Sequence, residues 1–508
     1  MGLLQVLIDT ILDNLTTILI FSIVFFILYR YLQPSPYRFP PGPRPWPLIG
    51  NLGLMAGSED DPSGAKRIWE ISKEMNTDML SVYLGGKYPA MMLHKYEDIK
   101  ELFSMPEFSG RQFFEFWEIF MGGLIGATGA RWKEQRRFAL STLRNFGLGK
   151  NKLEEKIDVE IEYLCQLLDS YNGEAKDLSI TLKNAVSNII CSLIFGHRFD
   201  YEDATFKRML NLQQENFDEN LLYAGIATIV PGARYLPGDF FRLKRANEIV
   251  NELRSKIFKA EYDDHMAKFD PNNIGDYIDA FILEMKERAK RGSEEEHWFN
   301  EKQLNMSIED MFQAGTETTT SSLIWIIVYM LHYPEVQERM RSEIHSVIGL
   351  ERMPSMRDKT MMPYTEAVMS EIQRQQPGLP ISVGNCTHDA PVEVKGFLLP
   401  PNTTCYGNFY AIHNDPDYWS EPEKFKPERF MDENNKFVGD KRLMTFSTGT
   451  RTCIGESLAR MELFLFATAI LQRYKIVNPE GAELPSLIAK RGSSLFVAKP
   501  FKVRLVRI

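Results

Sequence analysis

Phe446-Ser447-Thr448-Gly449-Thr450-Arg451-Thr452-Cys453-Ile454-Gly455 runs straight into a helical pattern that begins at Glu456, and this stretch decides the fold. Glycines on either side of a single cysteine suit a tight loop whose backbone approaches something flat and large. Arg451 stands two residues before the sulfur, where it can meet an anion. A thiolate just ahead of a helix N-terminus is favoured by the helix dipole and by free N–H groups, which lowers its pKa. Anionic, screened and rigidly held are the requirements of a thiolate axial ligand to haem iron. A buried structural cysteine beside a turn would carry the same local sequence, so the loop alone leaves both readings open.

Outside the loop the composition is that of a globular protein. The 508 residues are 44% hydrophobic and 25% charged, which excludes wholesale disorder; length alone suggests roughly three domains. Lys and Arg number 59 against 68 Asp and Glu, a net charge of −9. That balance excludes nucleic acid as the main partner, because phosphate binding needs clustered cations. The five cysteines (Cys165, Cys191, Cys386, Cys405, Cys453) are scattered and form no CxxC pair. A disulfide scaffold or zinc site is disfavoured and a reducing compartment fits.

The cysteine string resembles the haem-ligand signature of the cytochrome P450 superfamily, FxxGxRxCxG, at every fixed position, with Ala459 where that family has a small residue. Other landmarks follow in order. Met311-Phe312-Gln313-Ala314-Gly315-Thr316-Glu317-Thr318-Thr319 resembles the family's oxygen-activating helix. Ala314 and Gly315 remove bulk from one face, and Thr318 can bond back to a carbonyl, loosening the helix and admitting water. Glu317 and Thr318 are expected to act as an acid–alcohol pair that relays protons. Glu371-Ile372-Gln373-Arg374 matches ExxR and Pro427-Glu428-Arg429-Phe430 matches PERF. By resemblance, Glu371, Arg374 and Arg429 form a buried structural network under the haem loop. Trp132 and Arg136 resemble the WxxxR pair that contacts haem propionates, with Arg451 as a second basic partner. Phe446, Gly449 and Gly455 complete the haem-binding loop, alongside Ala314 and Gly315 from the helix.

The resemblance covers essentially the whole chain, and FSGR (Phe108–Arg111) places it nearest the animal family-2-like group. One departure stands out: Asn385 replaces the basic residue usual after the ExxR helix. The third propionate donor is then Asn385, or His388 if the loop rearranges. Phe113, Phe114, Phe116 and Trp117, where the family places a substrate-contacting loop, are candidate substrate residues together with Phe312.

Ahead of this body, Leu15–Tyr29 carries no charge, and from Ile11 to Leu32 it crosses roughly 30 Å as a helix. Asp9 and Asp13 precede it, while Arg30, Arg38 and Arg44 follow. The positive-inside tendency puts the N-terminus in the lumen and the body in the cytosol. The expected organisation is a membrane anchor over 1–32, a proline-rich stiff linker over 33–52 and a haem-binding domain over 53–508. Periodicity predicts a hairpin at Ser81–His94 and helices at Asn151–Ser170, Ser179–Ile194, Lys244–Lys268, Ile274–Arg288, Ser307–Leu331 and Glu335–Ile348. Strands are expected near Val392–Leu399 and Ser494–Leu505. Glu202–Phe241 reads either as a lid or second membrane contact, or as ordinary packed helix and loop.

The fold implied is mainly α with small β-sheets: one catalytic domain of the cytochrome P450 fold behind an N-terminal transmembrane anchor. The function implied is a monooxygenase of the endoplasmic reticulum membrane, with haem b bound by Cys453, acting on a lipophilic small molecule. No flavin or nicotinamide motif occurs, so electrons are expected from NADPH–cytochrome P450 reductase, with cytochrome b5 as a further donor. The competing readings are a haem-thiolate isomerase or dehydratase that needs no O2, and a membrane-tethered haem-binding protein without turnover.

Overall fold

The runs on either side of Gly85 fold back on themselves and bury both faces, Met79, Met91 and Leu93 in one apolar cluster and Leu80, Val82, Leu84, Ala90 and Met92 in another. In the computed structural model, β1 (Met79–Leu84) pairs antiparallel with β2 (Tyr88–Leu93). The structure describes residues 14–32, 36–85, 88–111, 122–147, 151–216, 226–227, 229–230, 232–291, 298–491 and 495–508. Two later strands complete the sheet: β3 (Asn385–Cys386) and β6 (Thr404–Gly407), in the order β1-β2-β6-β3, with β6 parallel to β2. Between them lies the short hairpin of β4 (Val392–Val394) and β5 (Phe397–Leu399).

The rest is mainly helical. Asn151–Ser170 and Ser179–Ile194 form the helices the periodicity predicts. The longest helix, Glu301–His332, is buried along nearly its whole length and packs on Ser179–Ile194. It starts earlier than its apolar pattern because the Asn300 side chain accepts the Gln303 N–H at 2.9 Å, an N-cap. Pro334 then opens the next helix, Pro334–Val347. One core cluster joins residues from Leu124 to Leu505, and a smaller one lies under the sheet.

The structure departs from the sequence reading in several places. Lys244–Lys268 is broken by a π-helical segment, Leu253–Phe258. Ile274–Arg288 shifts to Tyr277–Arg291, where Asp276 Oδ1 accepts the Asp279 N–H at 2.9 Å. Of the strand expected over Ser494–Leu505, Ser494 lies outside the described residues; Val503 bridges Lys176 and β8 (Arg504–Arg507) pairs with β7 (Tyr474–Val477). The proline-rich run is no free spacer. The Pro41 carbonyl accepts the Ser81 N–H at 2.9 Å, and a side chain at Gly42 would collide with the Ser81 carbonyl. This run therefore docks on β1.

Leu15–Leu32 is an 18-residue helix with Phe21, Phe25 and Phe26 exposed. At 1.5 Å per residue it spans about 27 Å, just short of a hydrocarbon core of about 30 Å. Among the described residues no helix is long and apolar enough to cross a membrane. The part of the expected span before Asn14 lies outside the described residues.

Candidate active site

Cys453 is held by its own loop. Its N–H donates to the Phe446 carbonyl at 3.0 Å, and Gly449–Arg451 makes a single 3-10 turn. Gly449 has φ +77°, and a Cβ there would lie 2.0 Å from the Phe103 carbonyl oxygen, so only glycine fits. Gly455 is different: its φ of −90° suits any residue, and a Cβ would make ordinary contact with the Cys453 sulfur. Glu456–Arg473 follows as the proximal helix. The Cys453 side chain is exposed to a cavity of about 320 Å³ whose wall it forms. Burial pushes the thiol up; the Gly455 and Glu456 amides and Arg136 pull it back. The dipole does not prevail, because the surrounding protein strips water from the sulfur.

Across the cavity runs the long helix Glu301–His332. Met311, Ala314, Gly315, Thr318, Thr319 and Ser322 face it, at the three- and four-residue spacing of one helical face. Ala314 is exposed there in the middle of an otherwise buried helix. A side chain at Gly315 would run into Ile190 Cδ1 at 2.5 Å, so its missing bulk also admits the neighbouring helix, whose Ile190 shares the cavity wall. Thr318 Oγ1 donates to the Ala314 carbonyl at 2.7 Å. Glu317 is turned off the cavity and bonds Lys183 Nζ at 2.8 Å. The expected acid–alcohol pair is thus not assembled in the cavity: adjacent helical residues point about 100° apart. Phe312 lies 1% exposed in the main core and is not a wall residue. The aromatics Phe113, Phe114, Phe116 and Trp117 lie outside the described residues.

Three guanidiniums close one end. Arg451 donates to the carbonyls of Ser109 (2.9 Å), Ile125 (3.2 Å) and Ala127 (2.7 Å) and stacks 3.9 Å over Trp132. Arg136 Nη2 reaches the Thr452 carbonyl at 2.5 Å. Arg111 donates to the carbonyls of Ile125 (3.0 Å) and Gly384 (2.8 Å) and to Asn385 Oδ1 (2.7 Å). None of these partners is a carboxylate. Burial, then repulsion from Arg111 and Arg136, pushes Arg451 down to about 7. Burial likewise lowers Arg111 to about 10. These shifts mark buried positive charge without a counter-ion, and because an anion beside it would hold the guanidinium protonated, the cluster calls for an anionic guest. A planar group with a metal over Cys453 and paired carboxylates toward the arginines fits this donor set, as haem b requires.

Arg111 is the cavity residue that the sequence reading left without a role, although FSGR was in view. Asn385 faces the cavity, with Nδ2 unpartnered and Oδ1 on Arg111. His388 is not a wall residue; its Nε2 lies 3.1 Å from Ser109 Oγ.

Arg374 meets Glu371 in a two-bond fork at 2.7 and 2.8 Å, and Arg429 Nε meets Glu371 Oε1 at 3.2 Å. Arg374 and Glu371 are fully buried. Arg374 also donates to the His413 carbonyl at 2.6 Å and to that of Pro422 at 2.8 Å. The three residues therefore tie the Pro363–Gln375 helix to the PERF turn and to residues 413–426 ahead of it.

A thiol facing a helix across a cavity, with an arginine cradle at its side, is the arrangement of a haem-thiolate protein. Residues 40–505 match the family model "Cytochrome P450", and the chain belongs to that family. It is 35% identical over 493 residues to human cytochrome P450 2U1, covering 92% of this chain and 89% of the relative. Mouse cytochrome P450 2B9 is 36% identical over 464 residues, 90% of this chain and 91% of the relative. Rabbit cytochrome P450 2B4 is 35% identical over 486 residues, with 94% and 96% covered. The protein is a cytochrome P450 monooxygenase of the family-2 type, and haem is its cofactor.

Proposed function

We propose that this enzyme inserts one atom of O2 into a lipophilic small molecule, by hydroxylation or epoxidation, at a haem b held by Cys453. The observation that carries this reading is the cavity onto which Cys453 and Thr318 both open, with Leu124, Ile194, Leu379 and Val383 as apolar walls. When bound, the haem supplies O2 activation, promoted by electron donation from the thiolate. The chain's part is to hold and screen it. Arg136, Arg451, Arg111 and Trp132 supply cationic and indole donors for the propionates. Glu371, Arg374 and Arg429 hold the loop from below. Thr318 has its proton on the Ala314 carbonyl, so its oxygen is free to accept from a water and orient it.

Electrons come from NADPH–cytochrome P450 reductase, with cytochrome b5 as a second donor. A basic face on Gly129–Asn145, formed by Lys133, Arg137 and Arg144 around Leu140, suits an acidic partner. The body sits on the cytosolic face of the endoplasmic reticulum membrane, with 1–32 as anchor, 33–52 as linker and 53–508 as the haem domain. Exposed Trp46, Leu48 and Ile49 in the proline-rich turn, and Tyr235, Leu236 and Phe240 beyond it, supply apolar surface for that membrane. The Gly50–Leu84 bridge and the approach of Gly85 to Ile229 put both segments at the hairpin end.

The test is the thiolate-specific CO difference spectrum of the reduced protein, then product formation with reductase and NADPH across a panel of lipophiles. The band with reductase-dependent product is expected, and Cys453→Ser loses the band. A band without O2-dependent product favours an isomerase or a binder. An unchanged band in Cys453→Ser overturns the ligand assignment.

A further inference from the structure

With Glu317 committed to Lys183, the proton source for the cavity must be sought elsewhere. Among the described residues, two with carboxyl groups line the cavity, Asp310 and Glu462. Asp310 Oδ2 accepts the amides of Leu124 and Ile125, and eight residues of helix, about 12 Å, separate it from Thr318. Like Asp310, Glu462 is buried with one carboxyl oxygen, its Oε1, lacking a hydrogen-bond partner among the described residues, but it accepts no backbone amide there and lies near Thr319. It stands on the proximal helix, nine residues after Cys453, and is 1% exposed. Thr319, the residue after Thr318, lines the same cavity and is near enough to its carboxyl to moderate the shift that burial imposes. Burial raises its pKa well above the ordinary carboxylate range. With no cation among its described contacts, the low-energy form is the neutral acid.

We propose that Glu462 is the proton store of this site, a positioning residue acting through Thr319 and cavity water on Thr318. The carboxyl gives its proton to a water bridging toward Thr318 Oγ1, and that water passes one of its own protons onward. The carboxylate left behind recovers a proton from bulk solvent, carried as hydronium through water entering the cavity, so each proton passed onward is replaced from solvent and charge and atoms balance over the cycle. This inference rests on the monooxygenase reading above.

The experiment uses the full chain with haem, and CO as the probe of the cavity. Infrared difference spectra on CO photolysis are expected to contain a protonated-carboxyl C=O band that shifts in D2O and is lost in Glu462→Gln. Thr319→Val, which keeps Glu462 in place, is expected to move that band. With reductase, NADPH and O2 but no added substrate, Glu462→Gln should lower the share of O2 reduced to water rather than peroxide by about 10-fold, and Glu462→Asp should restore part of it. A carboxyl band that survives Glu462→Gln, a band indifferent to Thr319→Val, or an unchanged water-to-peroxide split overturns the proposal. If the parent chain lacks the thiolate CO band, it is the monooxygenase reading that fails.

Discussion

Glu371→Gln isolates what the buried network does, because it keeps the side-chain shape and removes one charge. Glu371 serves two guanidiniums: Arg374 at 2.7 and 2.8 Å and Arg429 at 3.2 Å, and its Oε1 also accepts the Lys426 N–H at 3.0 Å. The amide leaves Arg374, fully buried, and Arg429 without a counter-charge. Breaking a buried pair by removing one partner costs about 3–5 kcal/mol, whereas an exposed i,i+3 pair is worth only about 0.2–0.5 kcal/mol. The carbonyls of His413 and Pro422 stay bonded to Arg374, so the lower part of that range, about 3 kcal/mol, is expected. Scaling the dependence of Tm on domain length to a body of this size gives about 1–2 °C per kcal/mol, hence a fall of about 3–6 °C. Urea unfolding followed by tryptophan fluorescence, with the haem band read in parallel, measures both. A loss under about 1 kcal/mol would falsify the reasoning, since it would mean the two arginines find other neutralisation. Haem loss tracking the unfolding curve would place the network under the loop; haem loss well before it would detach the two.

Three further outcomes are expected. Gly449→Ala should cut haem incorporation per chain by about 10-fold, since it combines a left-handed backbone costing about 1–2 kcal/mol with a clash on the Phe103 carbonyl; Gly481→Ala, also at positive φ but in open space, is the control and should load normally. Arg111→Met should speed haem transfer to apomyoglobin by about 10- to 100-fold, the worth of one charged hydrogen-bond set of about 1.5–3 kcal/mol, and Asn385→Leu by less; equal rates would remove Arg111 from the cradle. Thr318→Ala should raise peroxide release per NADPH and lower product, with full coupling retained only if the hydroxyl has no part in holding water.

The contiguous features were legible. The cysteine loop and the two helices at Asn151–Ser170 and Ser179–Ile194 are set by neighbours in the chain, whose periodicity and turn residues act over a few positions. The strand expected over Ser494–Leu505 failed for the opposite reason. An alternating pattern does not say which backbone will pair with it, and here the paired residues sit at its end, Val503 on Lys176 and Arg504–Arg507 on Tyr474–Val477. The proline-rich segment is equally instructive: proline content predicts stiffness, but docking on Ser81 depends on a hairpin that is itself assembled in space.

The order of residues by itself determined the thiolate loop, the helix facing it and the family, because each of those signals is local and compact. Only the tertiary structure decided where the charges meet. It gave Glu317 to Lys183, brought Arg111 to Asn385 across 274 residues of chain, and buried Glu462 in the cavity wall. The physical reason is that the strength of an ion pair or of a buried acid depends on desolvation and on distance in space, and neither can be read from spacing along the chain.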